Sequence, residues 1–274
     1  MKGEEVISEW LKAREWQQFP FQKEMEAAFL KGYSGLLNAP TGSGKTFALF
    51  LPFVAGYINK YPDTFQQRKN NGLLMLWITP LRALTNDIRK AMQSVVDDLD
   101  LPWTVAARTG DTSAKEKEAI KKRLPEVLLT TPESLHIMLA QKDYPKIFEN
   151  LTVVVADEWH ELLGTKRGVQ LELGLSKLKS LRRNSVLSSY NSPLATHNLQ
   201  PTTHNAPPAT HHAPLATHHP QPATHHPPST TQLLQIWGIS ATIGNLEQAA
   251  EVLLGNDADL ANVKLIRAHL DKKV

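Results

Sequence analysis

The chain contains no cysteine, so disulfide bonds and cysteine-ligated zinc are excluded. It also contains no apolar run that approaches the roughly 18–20 residues of a transmembrane helix. Its first ten residues, MKGEEVISEW, mix acidic and apolar side chains and do not resemble a secretory signal. We therefore expect a cytoplasmic protein without a membrane partner. The formal net charge of +3 tolerates a nucleic-acid partner but does not require one.

One long segment, residues 188–231, lacks Asp, Glu, Lys and Arg altogether, yet it holds 8 of the 11 histidines and 9 of the 18 prolines. A tripeptide of the form Ala-Thr-His or Thr-Thr-His returns in it every seven residues. The prolines forbid a continuous helix, and the segment has too little apolar surface to offset the entropy of ordering it. We predict a disordered insertion between a helix at 171–183 and a strand at 233–242. Residues 1–187 and 232–274 would then form one globular domain.

Short apolar runs recur along the rest of the chain, and most of them are apolar at every position. Such runs are typical of strands that are buried on both faces of a parallel sheet. Helical periodicity between them, as in 81–99, predicts covering helices. The predicted fold class is therefore α/β, with a mainly parallel sheet, helices on both faces, and ligands at the carboxyl ends of the strands. The predicted strands are 35–39, 73–79, 104–107, 126–130, 151–156, 236–240 and 262–266.

The strongest chemical signal is APTGSGKT, residues 39–46, which follows a predicted strand and precedes a helical pattern. Gly42 and Gly44 allow the backbone to turn its N–H groups toward a phosphate. Lys45 would reach the β- and γ-phosphates, and the Thr46 hydroxyl would hold Mg²⁺. A glycine-rich turn with a chance lysine is the alternative, but both the spacing and the context match a P-loop.

A second signal is VVVADEWH, in which three valines precede Asp157 and Glu158. A carboxylate at the end of a buried strand can hold Mg²⁺, and its neighbour can orient or deprotonate an attacking water. His160 would link this site to a neighbouring lobe or strand. A solvated strand end is the alternative for the acidic pair alone. A zinc site at His160 is disfavoured, because no other histidine lies at metal-ligand spacing from it.

Taken together, these motifs resemble those of the superfamily 2 DExH-box helicases. APTGSGKT is similar to motif I, DEWH (157–160) to motif II and SAT (240–242) to motif III. TPLRAL, RTGDTS and TPESL resemble the smaller motifs Ia, threonine-glycine and Ib, and all of them follow the family's order over residues 20 to 255. DEWHELLGTKRGVQ and SATIGN resemble the Lhr (large helicase-related) group. The opening EVISEWLKAREWQQFPFQKEM resembles its bacterial branch that is associated with a ligase in the DNA-damage response.

This resemblance implies a RecA-like P-loop domain that binds ATP and Mg²⁺ and serves as the first lobe of an ATP-dependent DNA helicase or translocase, with DNA repair as its process. The implied nucleotide-binding residues are Gln22, Thr41, Gly42, Ser43, Gly44, Lys45 and Thr46. The implied catalytic residues are Lys45, Asp157, Glu158 and His160, with Mg²⁺ held through Thr46 and Asp157.

The resemblance also implies a single-stranded or duplex DNA partner, with RNA left open, and a DNA ligase or nuclease as further partners. The residues implied to grip the backbone of one strand are Arg82, Thr109, Gly110, Thr131 and Pro132. The residues implied to couple this grip to the nucleotide are Ser240, Ala241 and Thr242. The alternative for TPES is an ordinary helix start with a threonine cap.

Helicases of this superfamily use two lobes, and the second supplies an arginine finger. The chain ends at Val274, so we expect weak ATP binding, little hydrolysis and no unwinding by this polypeptide alone. A non-catalytic nucleotide- or nucleic-acid-binding fragment is the alternative. A transporter ATPase is disfavoured, because the sequence has no ABC signature. The segment KKR (121–123) is expected to be a solvated helix end, and Trp10, Trp16, Trp77 and Trp103 are expected in the core.

Overall fold

The computed structural model describes residues 2–190, 234–255 and 260–268. All seven predicted strands form, and they make one parallel sheet in the order β3-β4-β2-β5-β6-β1-β7. The strands in the middle of the sheet are buried at every position, as their apolar runs predict. Their bounds are β1 (Ser34–Asn38), β2 (Met75–Ile78), β3 (Val105–Arg108), β4 (Val127–Thr130), β5 (Val153–Ala156), β6 (Gln235–Ser240) and β7 (Val263–Arg267).

Helices cover both faces of this sheet. On one face lie α1 (Gly3–Ala13), α2 (Pro20–Leu30), α3 (Lys45–Lys60) and α4 (Arg82–Asp98). On the other face lie α6 (Pro132–Leu139), α8 (Trp159–Leu162), α9 (Lys166–Tyr190) and α10 (Leu246–Leu254). The remaining helices are α5 (Ala114–Lys122), α7 (Tyr144–Ile147) and a short 3-10 turn at Leu260–Asn262.

The alternation of side chains along β2 shows how the two cores are built. Met75 and Trp77 pack against the α1–α4 layer, whereas Leu76 and Ile78 pack against the α6–α10 layer. All four are fully buried, and each contributes about 1.5–3 kcal/mol relative to exposure. The sheet is therefore held rigidly from both sides, and it fixes the loops that leave its carboxyl edge.

Three of the four tryptophans expected in the core are buried, namely Trp10, Trp77 and Trp103. The expectation for Trp16 is wrong, because this side chain is 44% exposed. Trp16 follows the end of α1, where Glu15 takes a left-handed φ of 57° and turns the chain outward. Its ring packs against Trp10 and Phe47, and the Arg14 guanidinium lies 5.5 Å from its centroid.

The helix predicted at 171–183 is longer in the structure and runs from Lys166 to Tyr190, so Ser188–Tyr190 are helical. The rest of the predicted insertion lies outside the described residues, and its disorder and the domain division stay predictions. The segment KKR is an exposed helix end, as expected. Within the described ranges no helix is long and apolar enough to span a membrane.

Candidate nucleotide and nucleic-acid sites

The order of the strands sorts the predicted site residues into two neighbouring groups. β5, β6 and β1 are adjacent, and the loops at their carboxyl ends carry residues 157–160, 240–242 and 39–46. β3, β4 and β2 are also adjacent, and residues 109–110, 131–132 and 82 follow them. One edge of a single sheet therefore carries two groups of residues, which we call the nucleotide half and the strand-gripping half after the roles predicted for them.

The loop 39–46 has the backbone geometry of a phosphate cradle. Gly42 and Gly44 both have left-handed φ angles, 77° and 81°, which favour glycine. The Ser43 hydroxyl donates to the Pro40 carbonyl at 2.7 Å and closes the turn. Lys45 is the first residue of α3, so the loop leads directly into the positive end of the helix dipole.

Lys45 faces the acidic pair at the end of β5. Its Nζ lies 3.5 Å from Glu158 Oε1, and both side chains are largely buried. Glu158 adopts a left-handed φ of 46°, which is strained for a residue with a Cβ. Such strain persists only where the surroundings enforce it, and here it turns the carboxylate toward Lys45.

Asp157 sits deeper, and its backbone N–H donates to the Ile78 carbonyl at 2.7 Å. Its carboxylate accepts from Trp77 Nε1 at 3.2 Å and from the Glu158 N–H at 3.0 Å. Burial raises the pKa of Asp157 to about 6, and the Trp77 hydrogen bond opposes this rise while the Glu158 charge adds to it. A buried carboxylate that is poorly compensated is well suited to take a divalent cation.

His160 connects the acidic loop to the loop after β6. Its Nδ1 lies 3.0 Å from Ser240 Oγ and 3.4 Å from Glu158 Oε2. Ser240 Oγ also accepts from the Thr242 N–H at 3.2 Å. The structure thus brings together the residues that the sequence assigned to catalysis and to coupling. Among the described residues no cluster of three or more His, Asp or Glu side chains could hold a metal ion.

Gln22 reaches the phosphate loop from α2. Its Nε2 donates to the Gly44 carbonyl at 3.3 Å, and its Oε1 accepts from the Phe19 N–H at 2.9 Å. Beside it lies a cavity of about 390 Å³ lined by Trp16, Phe19 and Phe47. Sequence reasoning did not identify these aromatic partners. The signal was present in EWQQFPFQ, where two aromatic residues stand three and six positions before Gln22.

The strand-gripping half presents Arg82 and Gly110 at its surface. Arg82 Nη1 pairs with Asp111 Oδ1 at 3.1 Å, and a Cβ on Gly110 would lie 3.1 Å from Arg82 Nη2. The Thr109 N–H donates to Thr112 Oγ1 at 2.8 Å, which fixes this turn. Glycine therefore allows the guanidinium to lie close over the backbone.

Thr131 and Pro132 lie at the start of α6, and their assignment to the strand grip stays a prediction. Thr131 is 1% exposed, and its hydroxyl caps α6 by accepting from the Ser134 N–H at 3.4 Å. Pro132 occupies the first helical position, as the helix-start alternative predicts. The structure buries both side chains, so they shape the loop rather than present themselves to solvent.

Arg167 is a further residue that sequence reasoning missed. Its guanidinium makes a two-pronged contact with Glu133, at 2.6 and 3.3 Å, and donates to the Pro80 carbonyl at 3.2 Å. It thereby ties the loops after β2 and β4 to the start of α9. Gly168 allows the start of α9 to pack closely against the end of α8, because a Cβ there would lie 2.1 Å from the Leu162 carbonyl oxygen.

Comparison with known proteins places this geometry in a family. The DEAD/DEAH box helicase model matches residues 19–198, well over half of the 274. An ATP-dependent helicase Lhr-Core protein 2 of Thermococcus barophilus is 35% identical over 185 residues, which are 64% of this chain and 21% of that protein. An Lhr helicase/uracil glycosylase of Escherichia coli is 34% identical over 161 residues, covering 55% of this chain and 10% of that protein.

A solved structure of Mycobacterium smegmatis helicase Lhr bound to single-stranded DNA and AMP-PNP is also similar. It has a TM-score of 0.62 at 25% identity and covers 95% of this chain and 27% of that one. The chain thus spans about a fifth of the first of these relatives and a quarter of the Lhr chain. The motifs, the parallel sheet and the family match agree: the chain belongs to the DEAD/DEAH box helicase family, and it is similar to the Lhr helicases.

Proposed function

We propose that this chain forms the ATP-binding N-terminal lobe of an ATP-dependent DNA helicase or translocase. The observation that carries the proposal is the division of one sheet edge into a nucleotide half and a strand-gripping half. The similar Lhr helicase was solved with single-stranded DNA and AMP-PNP, which supports both ligands. A role in DNA repair, the bacterial ligase-associated branch, ligase or nuclease partners and a cytoplasmic location stay predictions from the sequence.

In the nucleotide half, the loop N–H groups and Lys45 would hold the phosphates of ATP. Thr46 and Asp157 offer the hard oxygen ligands that Mg²⁺ prefers, and the magnesium ion would neutralise phosphate charge. When ATP binds, the Lys45 ammonium would leave the Glu158 carboxylate and contact a phosphate instead. Glu158, released from Lys45 and still beside His160, would orient a water molecule for attack.

The adenine ring would occupy the cavity beside Gln22. Trp16 and Phe19 offer partly exposed aromatic faces, and a flat base can stack on such faces. The amide of Gln22 is held between the phosphate loop and the Phe19 backbone, so its orientation is fixed. Binding of ATP should therefore quench the fluorescence of Trp16.

In the strand-gripping half, Arg82 and the backbone around Gly110 would contact phosphates of one nucleic-acid strand. Thr109, Thr131 and Pro132 would hold the loops in shape. Contacts of this kind fix position on the backbone without reading bases. They suit DNA and RNA alike, and the preference for DNA comes from the similarity to Lhr.

A second candidate is a nucleotide- and nucleic-acid-binding fragment without catalysis. The chain spans about a fifth of the first of the relatives that it matches, so the catalysis of the whole relative is not carried over to these residues. An arginine finger from a second lobe contributes roughly 10³–10⁵ in rate. The first candidate requires a second lobe, which is either joined to these residues or supplied by another chain. The second candidate requires none.

A steady-state ATPase assay on the 274-residue polypeptide, with and without single-stranded DNA, tests this account. We expect ATP binding with turnover far below one per second. Turnover near one per second that Lys45→Ala abolishes would contradict the dependence on a second lobe. Failure to bind ATP at all would contradict the proposed function itself.

Arg167→Ala is expected to weaken binding of single-stranded DNA about fivefold while the affinity for ATP stays unchanged. The guanidinium holds the loops that carry Arg82 and Thr131, and its partly exposed pair with Glu133 is worth about 1 kcal/mol. Lys166→Ala removes one exposed positive charge from the neighbouring position and serves as the matched control. Fluorescence anisotropy with a labelled oligothymidylate gives the measurement. Equal losses of oligothymidylate affinity in the two variants would show that Arg167 acts only through its positive charge.

A further inference from the structure

A groove of about 650 Å³ runs between α4 and α5, above the edge strand β3. It begins at Arg82 in the strand-gripping half and ends at Arg123, the residue that caps α5. Its floor is formed by small apolar residues such as Ala106 and Ala107, and none of its lining residues is aromatic. This groove is open and continuous with the predicted strand site, and Asn86, Arg89, Glu116 and Ala119 extend its lining beyond the motif residues.

The α4 side of the groove carries a polar stripe. Arg82, Asn86 and Arg89 lie at positions i, i+4 and i+7, which share one face of a helix. At a rise of 1.5 Å per residue, the two arginine backbones lie about 10 Å apart along the axis. Arg82 and Arg89 therefore lie in series along one side of the groove.

Two of the three arginines that face the groove are not paired with its carboxylates. Asp111 pairs with Arg82, and the Glu116 carboxylate accepts from the Ser113 hydroxyl and N–H at 2.7 and 2.9 Å. Those hydrogen bonds lower the pKa of Glu116, and Arg89 lowers it further at longer range. Within the described residues, neither Arg89 nor Arg123 has a carboxylate within 4.0 Å.

We propose that this groove continues the path of a single nucleic-acid strand, with Arg89 and Arg123 binding its phosphates. The groove offers no aromatic ring on which a base could stack, so its arginines would contact the phosphate backbone and carry no sequence preference. The inference deepens the proposed function and rests on it, because the groove extends the site that begins at Arg82.

The test compares two double variants of the 274-residue chain that each lose two positive charges. Arg89→Gln with Arg123→Gln removes the groove cations, whereas Lys121→Gln with Lys122→Gln removes neighbouring exposed charges that do not line the groove. Binding of labelled oligothymidylates is measured by anisotropy as a function of salt. Two phosphate contacts on a single strand correspond to a change of about 1.4 in the slope of log K against log salt.

We expect the groove variant to bind a 20-nucleotide oligothymidylate about 10- to 25-fold more weakly at 0.1 M salt. The slope of log K against log salt should become shallower by about 1.4. A short oligothymidylate that covers only the motif residues should bind both variants alike. Equal losses in the groove and lysine variants would overturn the proposal while leaving the proposed function intact. Absence of any oligonucleotide binding by the unchanged chain would overturn both. Oligoglutamate that binds the unchanged chain as tightly as oligothymidylate, and loses affinity only in the groove variant, would assign the groove to an acidic peptide and also overturn the proposal.

Discussion

Lys45→Ala is expected to weaken binding of Mg²⁺·ATP about 100-fold. Hydrogen bonds from a charged donor are worth about 1.5–3 kcal/mol each, and a largely buried ammonium makes them with little competition from water. A loss of about 2.7 kcal/mol corresponds to a factor of about 100 in the dissociation constant. Isothermal titration calorimetry, or the fluorescence of Trp16, gives the measurement.

The matched control for this prediction lies on the same helix. Lys60→Ala removes an exposed ammonium from the other end of α3, where it lies over the Tyr61 ring. We expect its affinity for ATP to stay within twofold of the unchanged chain. A Lys45→Ala variant that binds ATP as tightly as the Lys60→Ala variant would show that loop 39–46 is only a structural turn.

Asp157→Asn is expected to stabilise the ligand-free chain near neutral pH. Burial raises the pKa of Asp157 from its ordinary 3.8 to about 6, so the folded chain holds this proton more tightly than the unfolded chain does. The resulting stability is present below pH 3.8 and is lost as the pH rises through 6. A shift of about two units corresponds to roughly 3 kcal/mol at neutral pH. Asparagine avoids this penalty but loses one of two accepted hydrogen bonds, so we expect a net gain of about 2 kcal/mol.

Urea denaturation at several pH values tests the sign of this effect. The difference between Asp157→Asn and the unchanged chain should shrink as the pH falls from 7.5 to 4. Asp87→Asn, an exposed position on α4, is the control and should change the stability little. A stabilisation by Asp157→Asn that is equally large at pH 4 and pH 7.5 would contradict the raised pKa. The same variant should also lose affinity for Mg²⁺, because it lacks the carboxylate.

The sheet and its edge loops follow from local patterns, so the sequence predicts them well. Short runs of β-branched residues such as VVVA are typical of buried strands, and a parallel sheet places the next residues, Asp157 and Glu158, at one edge. The strand order decides which of these loops are neighbours along that edge. Sequence periodicity does not contain that order, and the structure provides it.

The features that the sequence did not reveal depend on tertiary packing between distant residues. Trp16 becomes part of a cavity because the turn after α1 sets it against Phe47 on α3. Arg167 meets Glu133 and Pro80 through the packing of α9 beside the loops after β4 and β2. Neither Trp16 nor Arg167 belongs to a periodic pattern that would mark these contacts in the sequence.

The central claim is that one sheet edge carries two separate ligand sites. Its most direct test titrates a labelled 20-nucleotide oligothymidylate into the 274-residue chain that is already saturated with Mg²⁺·AMP-PNP. The account predicts a ternary complex with one nucleotide and one oligonucleotide per chain, in which Lys45→Ala removes only the nucleotide. Displacement of the nucleotide by the oligonucleotide would contradict the account, because the two ligands would then compete for one site.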